Sequence, residues 1–117
     1  MSGLNTTQVG KDGPYYELTV IYAPDDAANL ADAVDATVKN AVKTGFEVCS
    51  MDIEGKKVLA YPVTDKEGKE HSKGVYAFFI LRGYGHAYAL EDAFREDHRV
   101  LRYLLVKQLI RKLKEYK

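Results

Sequence analysis

At 117 residues the chain is long enough for one domain with its own core and too short for two. Hydrophobic residues make up 46% and charged residues 29%, which excludes a disordered or fibrous chain, and the single cysteine, Cys49, excludes a disulfide framework. The formal net charge of +0 hides an asymmetry: residues 1–64 carry a net −4, residues 65–117 a net +4 and the last twenty a net +6, which suits a polyanionic or acidic partner, or a solvated basic tail.

No apolar run approaches a bilayer span; Val75 to Leu81 covers seven residues, so no membrane partner is expected. Met1 to Gly13 lacks the apolar segment of a secretory signal, and a reducing, cytoplasmic setting follows. Residues 1–14 read as a flexible leader. From Tyr15 to Tyr22 the residues Tyr16, Leu18, Val20 and Tyr22 alternate with Glu17 and Thr19, and that period of two predicts a strand. Ala23-Pro24 stops it, and Asp25-Asp26 offers a carboxylate cap. Between Ala27 and Lys43 the residues Leu30, Val34, Val38 and Ala41/Val42 recur at three and four, an amphipathic helix that Gly45 closes.

Phe46 to Val63 returns to extended chain, with a change of parity at Glu54-Gly55 where a bulge or tight turn belongs. Asp65-Lys66-Glu67-Gly68-Lys69 predicts a turn with positive φ at Gly68. Six charges between Asp65 and Lys73 predict that this turn projects as a mobile tip. Val75 to Leu81, apolar on both faces between Gly74 and Gly83, reads as a central strand. Gly83-Tyr84-Gly85 makes a loop, and Tyr88 to His98 a short helix carrying Leu90, Ala93 and Phe94. Val100 to Lys107 suits a strand, although Leu101, Leu104, Leu105, Leu109 and Leu113 also fit helical spacing. With a strand there, the chain is α+β: a ferredoxin-like βαββαβ arrangement, a four-stranded antiparallel sheet with two helices on one face. Residues 15–107 form that domain, and 108–117 a basic extension, helical by propensity, with Arg111, Lys114 and Lys117 on one stripe.

Catalytic chemistry finds no constellation, so no enzyme, catalytic residue, small-molecule substrate or cofactor is expected. His71, His86 and His98 lack metal-ligand spacing and read as surface histidines, so no metal is expected. Cys49 has no basic neighbour and reads as an inert, half-buried thiol. Asp25-Asp26 and Glu96-Asp97 sit at helix ends, where capping and solvation account for them. Lys73-Gly74-Val75-Tyr76-Ala77-Phe78-Phe79 is similar to the third-strand signature of the RNA recognition motif with one extra residue; packing in the core is the favoured reading of its aromatics.

Blocks in order along the chain carry a wider resemblance: Tyr16-Glu17-Leu18, Leu59-Ala60-Tyr61-Pro62-Val63, Gly74-Val75-Tyr76, Leu90-Glu91-Asp92-Ala93-Phe94-Arg95, and Asp97 followed by Val100 to Lys107. Over about Tyr15 to Lys107 the chain resembles the bacterial small-subunit ribosomal protein S-six (S6) family. The resemblance implies a strand at Val100–Lys107, a structural ribosomal protein of the cytoplasmic small subunit, and binding of small-subunit ribosomal RNA together with ribosomal protein S-eighteen (S18). It further implies RNA contacts at Arg102 and Lys107, to which the basic end adds Arg99, Arg111 and Lys114. It puts Tyr61, Pro62, Val63 and Tyr76 near the partner protein. Where family members carry an arginine before the first-strand tyrosine, this chain has Gly13-Pro14, with Lys11 upstream. Two alternatives compete: a stand-alone single-stranded RNA binder using Tyr76 and Phe78, and a ferredoxin-like protein-interaction module.

Overall fold

The computed structural model describes residues 13–23 and 27–108; the leader with Lys11, the Asp25-Asp26 cap, and Arg111, Lys114 and the rest of the extension lie outside the described residues. The elements run β1 (Tyr15–Tyr22), α1 (Ala27–Lys43), β2 (Glu47–Thr64), β3 (Glu70–Arg82), α2 (Ala87–Glu96) and β4 (Val100–Gln108). The strands form one sheet in the order β2-β3-β1-β4, every neighbouring pair antiparallel. This is the expected βαββαβ architecture.

Alternation in β1 turns Leu18, Val20 and Tyr22 to one face, and register places Phe79, Ala77 and Val75 beside them. Both helices cover this face: Ala33, Val34 and Ala41 of α1 and Leu90 and Phe94 of α2 join Leu81 in one buried cluster. The buried stripe of α1 runs through Ala41, so the adjacent Val42 is turned outward and 59% exposed. Leu30 and Val38 flank the cluster half-buried. One polar pair enters this core. Thr37 donates its hydroxyl proton to the Ala33 carbonyl at 3.0 Å, so the Tyr22 hydroxyl donates to Thr37 Oγ1 at 2.5 Å. Burial pushes the Tyr22 pKa up to about 12.

Helix α1 ends as expected. Gly45 adopts φ of 102°, its N–H donates to the Val42 carbonyl, and the Phe46 N–H reaches back to Ala41. That double closure is a Schellman cap, and it delivers Phe46 into the core edge-on to Tyr16, ring centroids 5.1 Å apart. Strand β2 shifts register between Val48 and Ser50 and again between Ile53 and Gly55, where the parity change predicted a bulge.

The β2–β3 hairpin departs from expectation. Beyond Tyr22 its two strands continue without β1 and fold over, so Leu59 and Val63 pack on Leu101 in a second, smaller core. Gly74 makes the close approach possible: a Cβ there would stand 2.5 Å from Ile21 Cγ2. The tip does not project. Lys66 Nζ donates to the carbonyls of Asp97 and Val100, each at 3.1 Å, and ties the turn to the α2–β4 junction. Gly68 has the expected positive φ, 89°, and Asp65 Oδ1 accepts the N–H groups of Glu67 and Lys69.

Candidate functional site

With alternate residues of β1, β3 and β4 turned toward the helices, the rest lie on a sheet face that no described helix covers. Register arranges them in three cross-strand rows: Tyr76, Ile21, Arg102; Phe78, Thr19, Leu104; and Ile80, Glu17, Val106. Leu104 is 61% exposed, and Val106 and Phe78 are exposed beside it. Exposed apolar side chains grouped in this way make the face a candidate interaction surface. Tyr76 and Phe78 lie side by side on it, ring centroids 6.4 Å apart. The core reading of that segment's aromatics therefore holds for Phe79, which is 1% exposed, and in part for Tyr76, half-buried against the second cluster, but not for Phe78.

The expected partner residues separate. Tyr61 and Pro62 are exposed, Val63 is buried against Leu59 and Leu101, and Tyr76 is half-buried beside that cluster.

The expected RNA residues separate too. Arg102 is exposed at the corner of the patch and donates Nη1 to the Leu101 carbonyl at 2.7 Å. Among the described residues no carboxylate pairs with it, which leaves its other donors for an incoming acceptor. Lys107 is exposed but shares the parity of Tyr103 and Leu105, so it leaves β4 on the helix-covered side. Arg99 is already engaged: Nε and Nη2 donate to the two oxygens of Asp97 at 2.9 and 3.0 Å. Burial works to raise the Asp97 pKa, but these bonds and the Arg99 N–H hold it below the usual carboxylate range, and the same pair raises Arg99. Asp97 is thus a salt-bridge partner as well as a helix-end residue.

Two cations that local sequence does not single out join Arg102. Lys66, Arg95, Val100, Leu101, Arg102 and Tyr103 line a hollow of about 580 Å³ where the hairpin tip, α2 and β4 meet. Arg95 holds Asp92 one turn earlier on α2 and stacks over Tyr88 at 5.8 Å. No local spacing connects Lys66 with Arg95 and Arg102; only the fold-over of the hairpin does.

Two side-chain expectations change. His71 is not a surface histidine: its Nε2 lies 2.8 Å from Asp65 Oδ2, with both side chains only 10% exposed. Hydrogen bonding from His71 holds the Asp65 pKa down, so the carboxylate is ionised and His71 Nε2 donates. Cys49 is exposed rather than half-buried, and partial desolvation with the Glu47 charge pushes its thiol pKa up, away from reactivity. Among the described residues no group of three or more His, Cys, Asp or Glu could hold a metal ion. No described helix is long and apolar enough to cross a membrane.

Known proteins match this arrangement. The family model described as Ribosomal protein S6 covers residues 15–107. The small ribosomal subunit protein bS6 of Synechococcus sp. (strain CC9605) is 35% identical over 97 residues, 81% of this chain and 74% of that one. The protein of the same name from Parasynechococcus marenigrum (strain WH8102) is 36% identical over 97 residues, 81% and 72% of the two chains. In fold, the chain is similar to the crystal structure of 30S ribosomal protein S6 from Thermotoga maritima, with a TM-score of 0.66 at 22% identity, covering 88% of this chain and 94% of that one.

Proposed function

The chain belongs to the ribosomal protein S6 family, and from that membership we propose that it binds small-subunit ribosomal RNA together with ribosomal protein S18. It is a structural, non-enzymatic protein of the cytoplasmic small ribosomal subunit. What supports the finer reading is the open sheet face, where Phe78, Leu104 and Val106 form an uncovered apolar patch with Arg102 at its corner. The apolar part suits a protein partner, and the arginine suits phosphate. Tyr61, 75% exposed on β2, extends the partner surface beyond the sheet. RNA attachment draws on Arg102 and Lys107, with Arg111 and Lys114 following in the extension. Arg99 serves it indirectly, by bracing Asp97 beside β4.

The stand-alone single-strand reading loses ground on one observation. Tyr76, one of its two stacking residues, is half-buried against the hairpin cluster, which leaves Phe78 as the exposed ring.

Two measurements test the proposal. The full chain should co-sediment with small subunits at moderate salt, and tagged S18 should capture it from solution. The Leu104→Asp and Tyr61→Asp variants should fold normally and lose that capture. If both variants are captured as well as the parent, the S18 surface is assigned wrongly.

A further inference from the structure

The hollow between the hairpin tip, α2 and β4 collects three cations from three elements, and among the described residues its lining includes no carboxylate. Two of them are pinned to consecutive carbonyls of β4: Lys66 Nζ donates to Val100 O at 3.1 Å, and Arg102 Nη1 to Leu101 O at 2.7 Å. Three cations lining one hollow raise the local potential and favour an anion. The nearby carboxylates lie outside that described lining. Asp97 has both oxygens on Arg99, and Glu67 lies 3.9 Å from His98 Nδ1. Asp92 holds Arg95 in an exposed pair, with side chains 61% and 48% accessible. Solvent screens that pair, so Arg95 can trade it for a stronger acceptor at little cost.

We propose that this hollow is a phosphate site that grips one backbone phosphate of the ribosomal RNA. The proposal rests on the RNA-binding reading above and deepens it by naming the contact. Lys66 supplies a point charge held by two carbonyls, while Arg102 presents the unused part of its planar fork. Arg95 closes the third side once it releases Asp92. Because Lys66 comes from the hairpin, the site is assembled only when the β2–β3 arm is folded onto β4.

The test measures binding of the full chain, with S18 present, to small-subunit ribosomal RNA across a salt series. Lys66→Gln, Arg95→Gln and Arg102→Gln each remove a charge and keep a side-chain donor. Circular dichroism checks that each variant is folded. Each should lower the slope of log affinity against log salt by at most about 0.7 to 0.9, the worth of one phosphate, equivalent to at most about five- to eight-fold in affinity at 0.1 M relative to 1 M salt. Lys39→Gln, on α1 and away from the hollow, should change neither quantity. Parental binding with unchanged slopes in all three variants overturns the phosphate site and leaves the RNA-binding reading standing. Failure of the parent chain to bind the RNA at any salt overturns both.

Discussion

The two faces of the sheet are built from alternate residues of the same strands, and they are finished differently. Under the helices, Leu18, Val20, Phe79, Leu81, Leu90 and Phe94 are each no more than 2% exposed, and the hydroxyls of Tyr22 and Thr37 satisfy each other. On the other side Leu104, Val106 and Phe78 are equally apolar and stand open. Hydropathy does not distinguish the faces, because a face completed by another molecule needs the same residue types as one completed by the chain itself. The difference lies in what the chain supplies to cover them: two amphipathic helices for the first face, and a folded hairpin arm over one corner of the second.

The comparison breaks most visibly in the closed face. Phe94→Ala, which empties a site packed on Tyr103 at 5.2 Å, should cost about 3–5 kcal/mol in urea unfolding. A loss near zero would mean that α2 does not seal the core.

The arm comes next. Gly74→Ala forces a methyl against Ile21 Cγ2 and Leu59 Cδ2, and about 1–3 kcal/mol of destabilisation is expected. Faster amide exchange should appear between Leu59 and Lys73 and nowhere else. Uniform exchange would show that the arm and the main core are one cooperative unit.

Acid probes the same arm by charge. Asp65 and Asp97 both titrate below their ordinary range in the fold, so the stability they contribute is complete above about pH 4 and is lost as pH falls through their lowered values. Unfolding midpoints should therefore drop as pH falls below about 4, and Asp97→Asn should flatten the drop while weakening the protein at neutral pH. A variant that follows the parental curve at both ends would remove Asp97 from that account. The smallest effect belongs to the open face: Leu104→Ser should move stability by no more than about 0.5 kcal/mol, because that side chain is 61% exposed. A larger loss would mean that the patch is part of the protein's own core.

Much of the fold is legible in the sequence because it is written in short-range patterns. The period of two in Tyr15–Tyr22, the three-four spacing along α1, the Gly45 stop and the parity break at Gly55 all reappear as structure. The site is less legible because its parts are distant along the chain. Lys66 meets Val100 only after the arm folds over, and nothing near either residue announces the other. The Asp65–His71 pair was hidden for a different reason. A run of charges looks solvated until one sees that its first carboxylate is hydrogen-bonded to a neighbouring histidine at low exposure. Val63 shows the same limit, since its apolar block indicates a surface but not which member of the block turns inward.

The bulges of β2 have one more consequence. β2 is an outer strand of the sheet, and a long exposed outer strand invites a second chain to add to it. Register slips at Cys49 and Glu54, adjacent lysines at 56 and 57, and a proline at 62 interrupt the regular row of donors and acceptors that such addition requires. A chain with an open apolar sheet face thereby has a border poorly suited to templating aggregates of itself.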